Sequence, residues 1–346
     1  MTSKAPEKLP HLRVFVLGAG VSASCGIPVA KDILRSTMLR LLDIGNGKSA
    51  DEVHRVLRYL YPSFHESLKN YPNIEDFLNF LEMAKQFNTE EFVTSERFSE
   101  KRIEKVGDIV LKALTDFLWE KMQSKDRLKS LVEFAESQVK LGDVLITFNW
   151  DVTLEQALYM DRKEPYFHYN YSRELDQKQV FLLKPHGSID WFMRKMLSDH
   201  GKGEEFSPLD KRLAVFNHFD FKEKPELARL LPVIVPPLSA KEFKHVALRR
   251  TWRGIFRALS QATQLHIIGY SLPREDQFAR FVFRRAIRQN FLNTEREKKA
   301  PVAIRIVNPD EAVWTTFSRL AGGGEASVNM EFKQTLFQDY VSSLSD

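Results

Sequence analysis

The chain has 346 residues, 43% of them apolar and 28% charged, with a formal net charge of +5. Such a balance suits a soluble globular protein with a sizeable core, built as one large domain with an insertion or as two domains. No apolar run approaches the roughly 20 residues of a membrane span, and a single cysteine, Cys25, excludes an internal disulfide and a cysteine-based zinc site. The polar start of the chain lacks the apolar core of a signal peptide, so a cytoplasmic location is expected.

The first stretch with a clear pattern runs from Arg13 to Pro28. Val14–Leu17 is a short apolar run that suits a strand covered on both faces of a parallel sheet. Gly18-Ala19-Gly20-Val21-Ser22-Ala23 comes next and fits G-x-G-x-x-(G/A), a turn whose backbone can approach a pyrophosphate at a helix N-terminus. Alone the pattern is weak, because glycine turns after strands are common. Ala30–Leu42 then has helical spacing. A dinucleotide dehydrogenase would next give a second strand with an acidic residue for the ribose. Instead, Val53, Val56, Leu57 and Leu60 keep helical spacing, as do Ile74, Phe77, Leu78 and Leu81. Ile103, Val106, Val110, Leu114 and Phe117 continue it. Residues 46–140 are therefore expected to be an all-helical insertion, which argues against a dehydrogenase.

Strand patterns resume at Val144–Phe148, Val180–Leu183, Pro232–Pro236, Leu265–Ile268 and Ala303–Val307, with helices expected over His245–Thr263 and Gln277–Asn290. Short apolar strands alternating with helices predict an α/β fold: a Rossmann-like, doubly wound, largely parallel sheet. Ligands of such sheets bind beyond the carboxyl ends of the strands. Polar residues and glycines gather there: Gly18–Ser22, Asn149 and Asp151, His186 and Gly187, Gly269 to Asp276, and Asn308. Singly each has a structural explanation, as a cap, a turn or a satisfied core histidine. Together, in this order, they point to one ligand crevice.

Two arginine sets, Arg249, Arg250, Arg253, Arg257 and Arg280, Arg284, Arg285, Arg288, recur at three-to-four spacing, one arginine-rich face on each of two helices. A solvated face is the first reading, a subunit contact the second, and a nucleic-acid or other phosphate-binding surface the third.

Gly18-Ala19-Gly20-x-Ser22 with Gly26-Ile27-Pro28, then Thr147-x-Asn149-x-Asp151, then His186-Gly187, resemble the ordered signatures of the sirtuin family. Ile268-Gly269-Tyr270-Ser271-Leu272-Pro273-x-x-Asp276 resembles its bacterial sirtuin-like branch, which includes NAD-hydrolysing antiviral effectors. The resemblance implies a Rossmann-like NAD-binding domain from 1–45, 141–190 and 231–346, with 191–230 standing where deacylases carry a four-cysteine zinc module. No zinc is expected. Deacylases also continue Gly-Ile-Pro with Asp-Phe-Arg, where this chain has Val29-Ala30-Lys31.

By the same resemblance the chain is expected to be an NAD+ hydrolase that releases nicotinamide and ADP-ribose, an NAD-depleting effector of anti-phage defence. Gly18, Ala19, Gly20 and Ser22 would cradle the pyrophosphate. Asn149 would hold the ribose and orient water, Asp151 would contact the nicotinamide carboxamide, and His186 would accept a proton. Gly269, Ser271, Asp276 and Asn308 would lie against the adenosine half. A homo-oligomer and a HerA-type ATPase partner are further expectations, and no membrane is involved. The competing readings are a protein deacylase or ADP-ribosyltransferase and a non-catalytic NAD or ADP-ribose sensor.

Overall fold

The computed structural model describes residues 11–86, 99–162, 167–169, 179–193, 213–215, 231–236, 246–298, 300–322 and 329–344. β1 (Arg13–Leu17) has four buried residues in five, as a strand covered on both faces requires. Gly18 precedes α1 (Ala19–Ala23), little more than one turn. Next come α2 (Ala30–Asp43), α3 (Gly47–Leu60), α4 (Ile74–Gln86), α5 (Glu100–Lys121) and α6 (Lys129–Gln138). β2 (Val144–Thr147) and α7 (Thr153–Arg162) return the chain to the sheet. Five short strands succeed them: β3 (Phe167–His168), β4 (Val180–Leu183), β5 (Gly187–Ser188), β6 (Trp191–Met193) and β7 (Leu213–Val215). Then come β8 (Val233–Ile234), α8 (Val246–Leu259), β9 (Gln264–Ile268) and α9 (Gln277–Glu297). β10 (Ala303–Val307), α10 (Ala312–Ala321), β11 (Asn329–Lys333) and α11 (Phe337–Ser342) complete the described elements.

Seven strands form one sheet in the order β11-β10-β9-β1-β2-β4-β3. Every pairing in it is parallel, so the expected Rossmann-like α/β class holds. The chain builds outward from β1 through β2 to β4 and β3, then crosses to β9 on the other side of β1. That reversal opens a crevice at the carboxyl ends of β1 and β9, the place where such sheets bind ligands. One apolar layer, which includes Trp252, Phe283 and Phe317, covers one side of the sheet. On the other, Phe134 of α6 meets Phe15 of β1 and Phe337 of α11 edge-on, with ring centroids 5.7 and 5.6 Å apart.

The strand expected at Pro232–Pro236 is not part of this sheet. Only Val233–Ile234 is extended, and it pairs antiparallel with Gly187–Ser188. The prolines at both ends supply no N–H, which suits a short isolated ladder better than a central strand. Two strands of the seven-stranded sheet were not expected from the sequence. β3 is two residues long, and β11 reads Asn-Met-Glu-Phe-Lys, whose alternation leaves it a half-exposed edge. His245, where α8 was expected to begin, lies outside the described residues.

Among the described residues, the regular elements between β1 and β2 are helices. Their apolar side chains separate into two groups: Leu34 and Met38 of α2 share a core with Val53, Phe77, Val110 and Leu114 of α3–α5. By contrast, Leu131 and Phe134 of α6 belong to the core beneath the sheet. Of the 191–230 segment, β6 and β7 pair antiparallel; the remainder lies outside the described residues.

Candidate active site at the carboxyl ends of the strands

At the switch point the two loops interlock. Gly18 N donates to Ile268 O, Gly20 N to Gly269 O (both 3.0 Å), and Gly269 N to Val307 O (2.9 Å). Gly269 has φ +60°, the left-handed region that favours glycine. A Cβ on Gly18 would lie 2.5 Å from Gly269 O, and one on Gly20 2.8 Å from Gly269 Cα. Close packing of one loop on the other therefore requires these glycines, and the amides of Gly18 and Gly20 are already committed to backbone carbonyls.

The loop after β2 brings Asn149 and Asp151 to the same turn. Asn149 Nδ2 donates to Gly18 O (2.9 Å) and to Ser22 Oγ (2.7 Å). Ser22 Oγ in turn donates to Asp151 Oδ2 (2.8 Å). The other Asp151 oxygen accepts from Thr153 N (3.1 Å) and Thr153 Oγ1 (2.5 Å). Both amide hydrogens of Asn149 are thus used, which fixes the carboxamide and leaves Oδ1 without a hydrogen bond among the described residues. Asn149 is half-buried, while Ser22 and Asp151 are buried. The arrangement presents one oriented acceptor beside the glycine turn.

His186 is held apart from this network. It is 3% exposed, and its Nε2 lies 2.9 Å from Asp276 Oδ2, with the ring turned off the straight hydrogen-bond direction. Phe148 meets the imidazole edge-on at 5.2 Å and stacks on Tyr270 at 4.2 Å. This stacked pair stands beside the His186–Asp276 contact. Asp276 is fully buried, and its Oδ1 accepts from Ala279 N (3.0 Å) as the cap of α9. Expected beside adenosine, Asp276 offers no exposed surface there and is spent on the histidine and the helix.

The remaining expected residues are spread around the crevice. Ala19 is half-buried and Ser271 exposed. Asn308 is buried, its Oδ1 accepting from Asp310 N (3.0 Å). Cys25 is buried too. Burial first, and then the charge of Asp151, pushes its thiol up to about 11, so it is not a thiolate nucleophile at neutral pH.

Sequence reasoning missed the support behind the Asn149 loop. Lys184, the residue after β4, is fully buried; its Nζ donates to Asp151 O (2.5 Å) and Glu155 Oε1 (2.8 Å). Tyr169 OH adds a bond to the same Glu155 oxygen (3.2 Å). Asp190 is buried nearby; burial raises its carboxyl to about 7, against the pull of Lys184. The available signal was a lone lysine at the end of an apolar strand, since buried lysines are seldom without a partner.

Fold and loops define a Rossmann-like α/β protein with a polar crevice at its topological switch point. Residues 143–310, from the start of β2 past the end of β10, match the family model of the SIR2-like domain. Over this span the chain is similar to the SIR2-like domain; β1 and its glycine turn lie before the matched span. Among solved structures, a Sir2 in complex with the inhibitor EX-527, 2'-O-acetyl-ADP-ribose and deacetylated p53 peptide is 14% identical, with TM-score 0.40 and coverage of 96% of this chain and 92% of that one. A mutant of Sir2 homologues in complex with 2'-O-acetyl ADP ribose is 17% identical, with TM-score 0.42 and coverage of 96% and 90%. No curated protein matches the chain.

Proposed function

We propose that this chain is an NAD+ glycohydrolase that splits the nicotinamide–ribose bond with water, giving nicotinamide and ADP-ribose. The observation that carries the reading is the Asn149 carboxamide, pinned through both hydrogens with Oδ1 left as an acceptor beside the Gly18 turn. The SIR2-like domain over 143–310 supports NAD+ as the substrate.

Cleavage of this bond builds oxocarbenium-like positive charge on the ribose as neutral nicotinamide leaves. A fixed dipole helps only when its negative end faces that charge or the attacking water. Asn149 Oδ1 supplies such an end, and hydrogen-bonding to the water would aim its lone pair at the ribose carbon. Ser22 and Asp151 hold Asn149 in place; Asp151 is also the residue assigned to the nicotinamide carboxamide. His186 accepts the proton that the water or a ribose hydroxyl loses. Asp276 acts through His186: its carboxylate, 2.9 Å from Nε2, positions the imidazole. Gly18, Ala19, Gly20 and Ser22 take the pyrophosphate side, and Gly269, Ser271 and Asn308 the adenosine side.

The chain has one cysteine, which removes the four-cysteine zinc module of the deacylases and makes water the favoured acceptor over an acylated peptide. The same family reading extends to NAD depletion in anti-phage defence, restrained by a HerA-type ATPase partner or by homo-oligomerisation.

The test is NAD+ consumption by the purified chain, with nicotinamide and ADP-ribose quantified. Asn149→Ala and His186→Ala are expected to lower turnover about 10²–10³-fold. Asp276→Asn, which retains a capping side chain, is expected to lower kcat more than it raises KM. Turnover that survives both Asn149→Ala and His186→Ala would sink the site assignment. O-acyl-ADP-ribose formed from an acylated peptide would make the chain a deacylase, and tight NAD+ binding without turnover would make it a sensor.

A further inference from the structure

α8 and the first part of α9, residues 277–294, together hold eight arginines and no aspartate, glutamate or lysine. In the whole chain 46 of 346 residues are acidic, so a stretch of this length would ordinarily hold about four. Solvated helices usually intersperse both signs, because like charges four residues apart repel. Here Arg249, Arg253 and Arg257 succeed one another at that spacing. Arg249, Arg253, Arg257, Arg284, Arg285 and Arg288 are exposed, with no hydrogen bond or ion pair among the described residues. Among the described residues the repulsion is kept, and with arginine alone, whose planar fork matches phosphate oxygens in pairs.

Three of these side chains border a groove of about 640 Å³ between the two helices. Arg249, Arg253 and Arg257 line it with Trp252 and Phe256 of α8 and Phe278 and Val282 of α9. Arg285 lies seven residues after Phe278 and three after Val282, on the same side of α9 by helical periodicity. No acidic side chain lines the groove among the described residues. One helical turn from Phe278, Phe281 is 59% exposed, and their ring centroids are 6.4 Å apart. A basic track with an open aromatic ring is the combination that holds a nucleic-acid strand whose bases are unpaired. An acidic helix would use the arginines equally well but would leave the exposed Phe281 ring unexplained.

We propose that the α8–α9 groove binds single-stranded nucleic acid, with phosphates on Arg249, Arg253 and Arg257 and a base stacked on Phe281. This surface is separate from the Gly18–Asn149 crevice, and its test needs no NAD+ turnover. The measurement is fluorescence anisotropy of a labelled oligo-dT of about 16 nucleotides with the whole protein across a salt series. Salt-dependent binding is expected. The double variant Arg253→Gln/Arg257→Gln should weaken it at least tenfold and flatten the log–log salt slope by about 0.7 per arginine. Phe281→Ala should weaken binding and leave the slope unchanged. All three substitutions are at exposed positions, and unchanged circular dichroism and thermal midpoint would show that the fold is intact. No salt-dependent binding, or a double variant that binds like the parent, would overturn the proposal. Displacement of the oligonucleotide by poly-glutamate at equal charge would also overturn it and make the groove a site for an acidic polypeptide.

Discussion

Two clusters fix the loop after β2, and they do so with opposite chemistry. Toward the glycine turn, Asn149, Ser22 and Asp151 form a short chain of hydrogen bonds that leaves one acceptor unused. Behind the loop, Lys184 meets Glu155 and the Asp151 carbonyl where neither charged side chain has any exposed surface. Near a crevice, a hydrogen-bonded amide can be oriented at modest cost and still serve a ligand. Away from water, the anchor must be matched almost completely, because a buried charge without a partner is costly. The front of the site is thus open to exchange, and its back is committed.

Breaking the back should have the largest effect. Lys184→Met removes the ammonium, leaves Glu155 buried without its counter-charge, and frees the Asp151 carbonyl. A loss of about 3–5 kcal/mol in urea-unfolding free energy is expected, and a loss below about 1 kcal/mol would show that the ion pair does not hold the loop.

The same cluster gives a pH test of opposite sign to the usual carboxylate. Asp190 has a folded-state value of about 7 against an ordinary carboxyl value of 3.8, so the folded state binds its proton more tightly than the unfolded one. Its contribution is fully present below about pH 4 and is lost as pH rises through 7. Asp190→Asn should abolish that part of the decline, on the order of 4 kcal/mol between pH 4 and 8. Equal stability–pH slopes in the parent and the variant would remove Asp190 from the account.

At the front, the smaller effect sharpens the contrast. Gly20→Ala places a Cβ 2.8 Å from Gly269 Cα, an overpacking expected to cost about 1–3 kcal/mol. If thermal unfolding shows no loss while NAD+ turnover falls, the glycine serves ligand access and not the interlock of the two loops.

The sequence determined the parallel sheet to a large extent. β1, β2 and β4 are nearly continuous apolar runs, and β9 and β10 are apolar runs broken within by His266 and Arg305; a run covered on both faces can be read without knowing its neighbours. β3 and β11 were not legible, because an edge strand of two residues or of alternating character has no signal distinct from a loop. Pro232–Pro236 misled for the complementary reason: an apolar run says that a segment is buried, not which sheet buries it. Site residues obeyed the same rule. Motif order marked Asn149, Asp151 and His186, since each stands just after a strand. Partner choice was not legible, because contacts between residues 33 to 127 positions apart depend on how the loops pack. Tertiary structure alone bound Asn149 to Ser22, turned Asp276 from the nucleotide side to His186, and set Lys184 beneath Asp151. The physical reason is range: strand and turn propensities act over a few residues, whereas a buried polar group takes its partner from whatever the fold brings within about 3 Å.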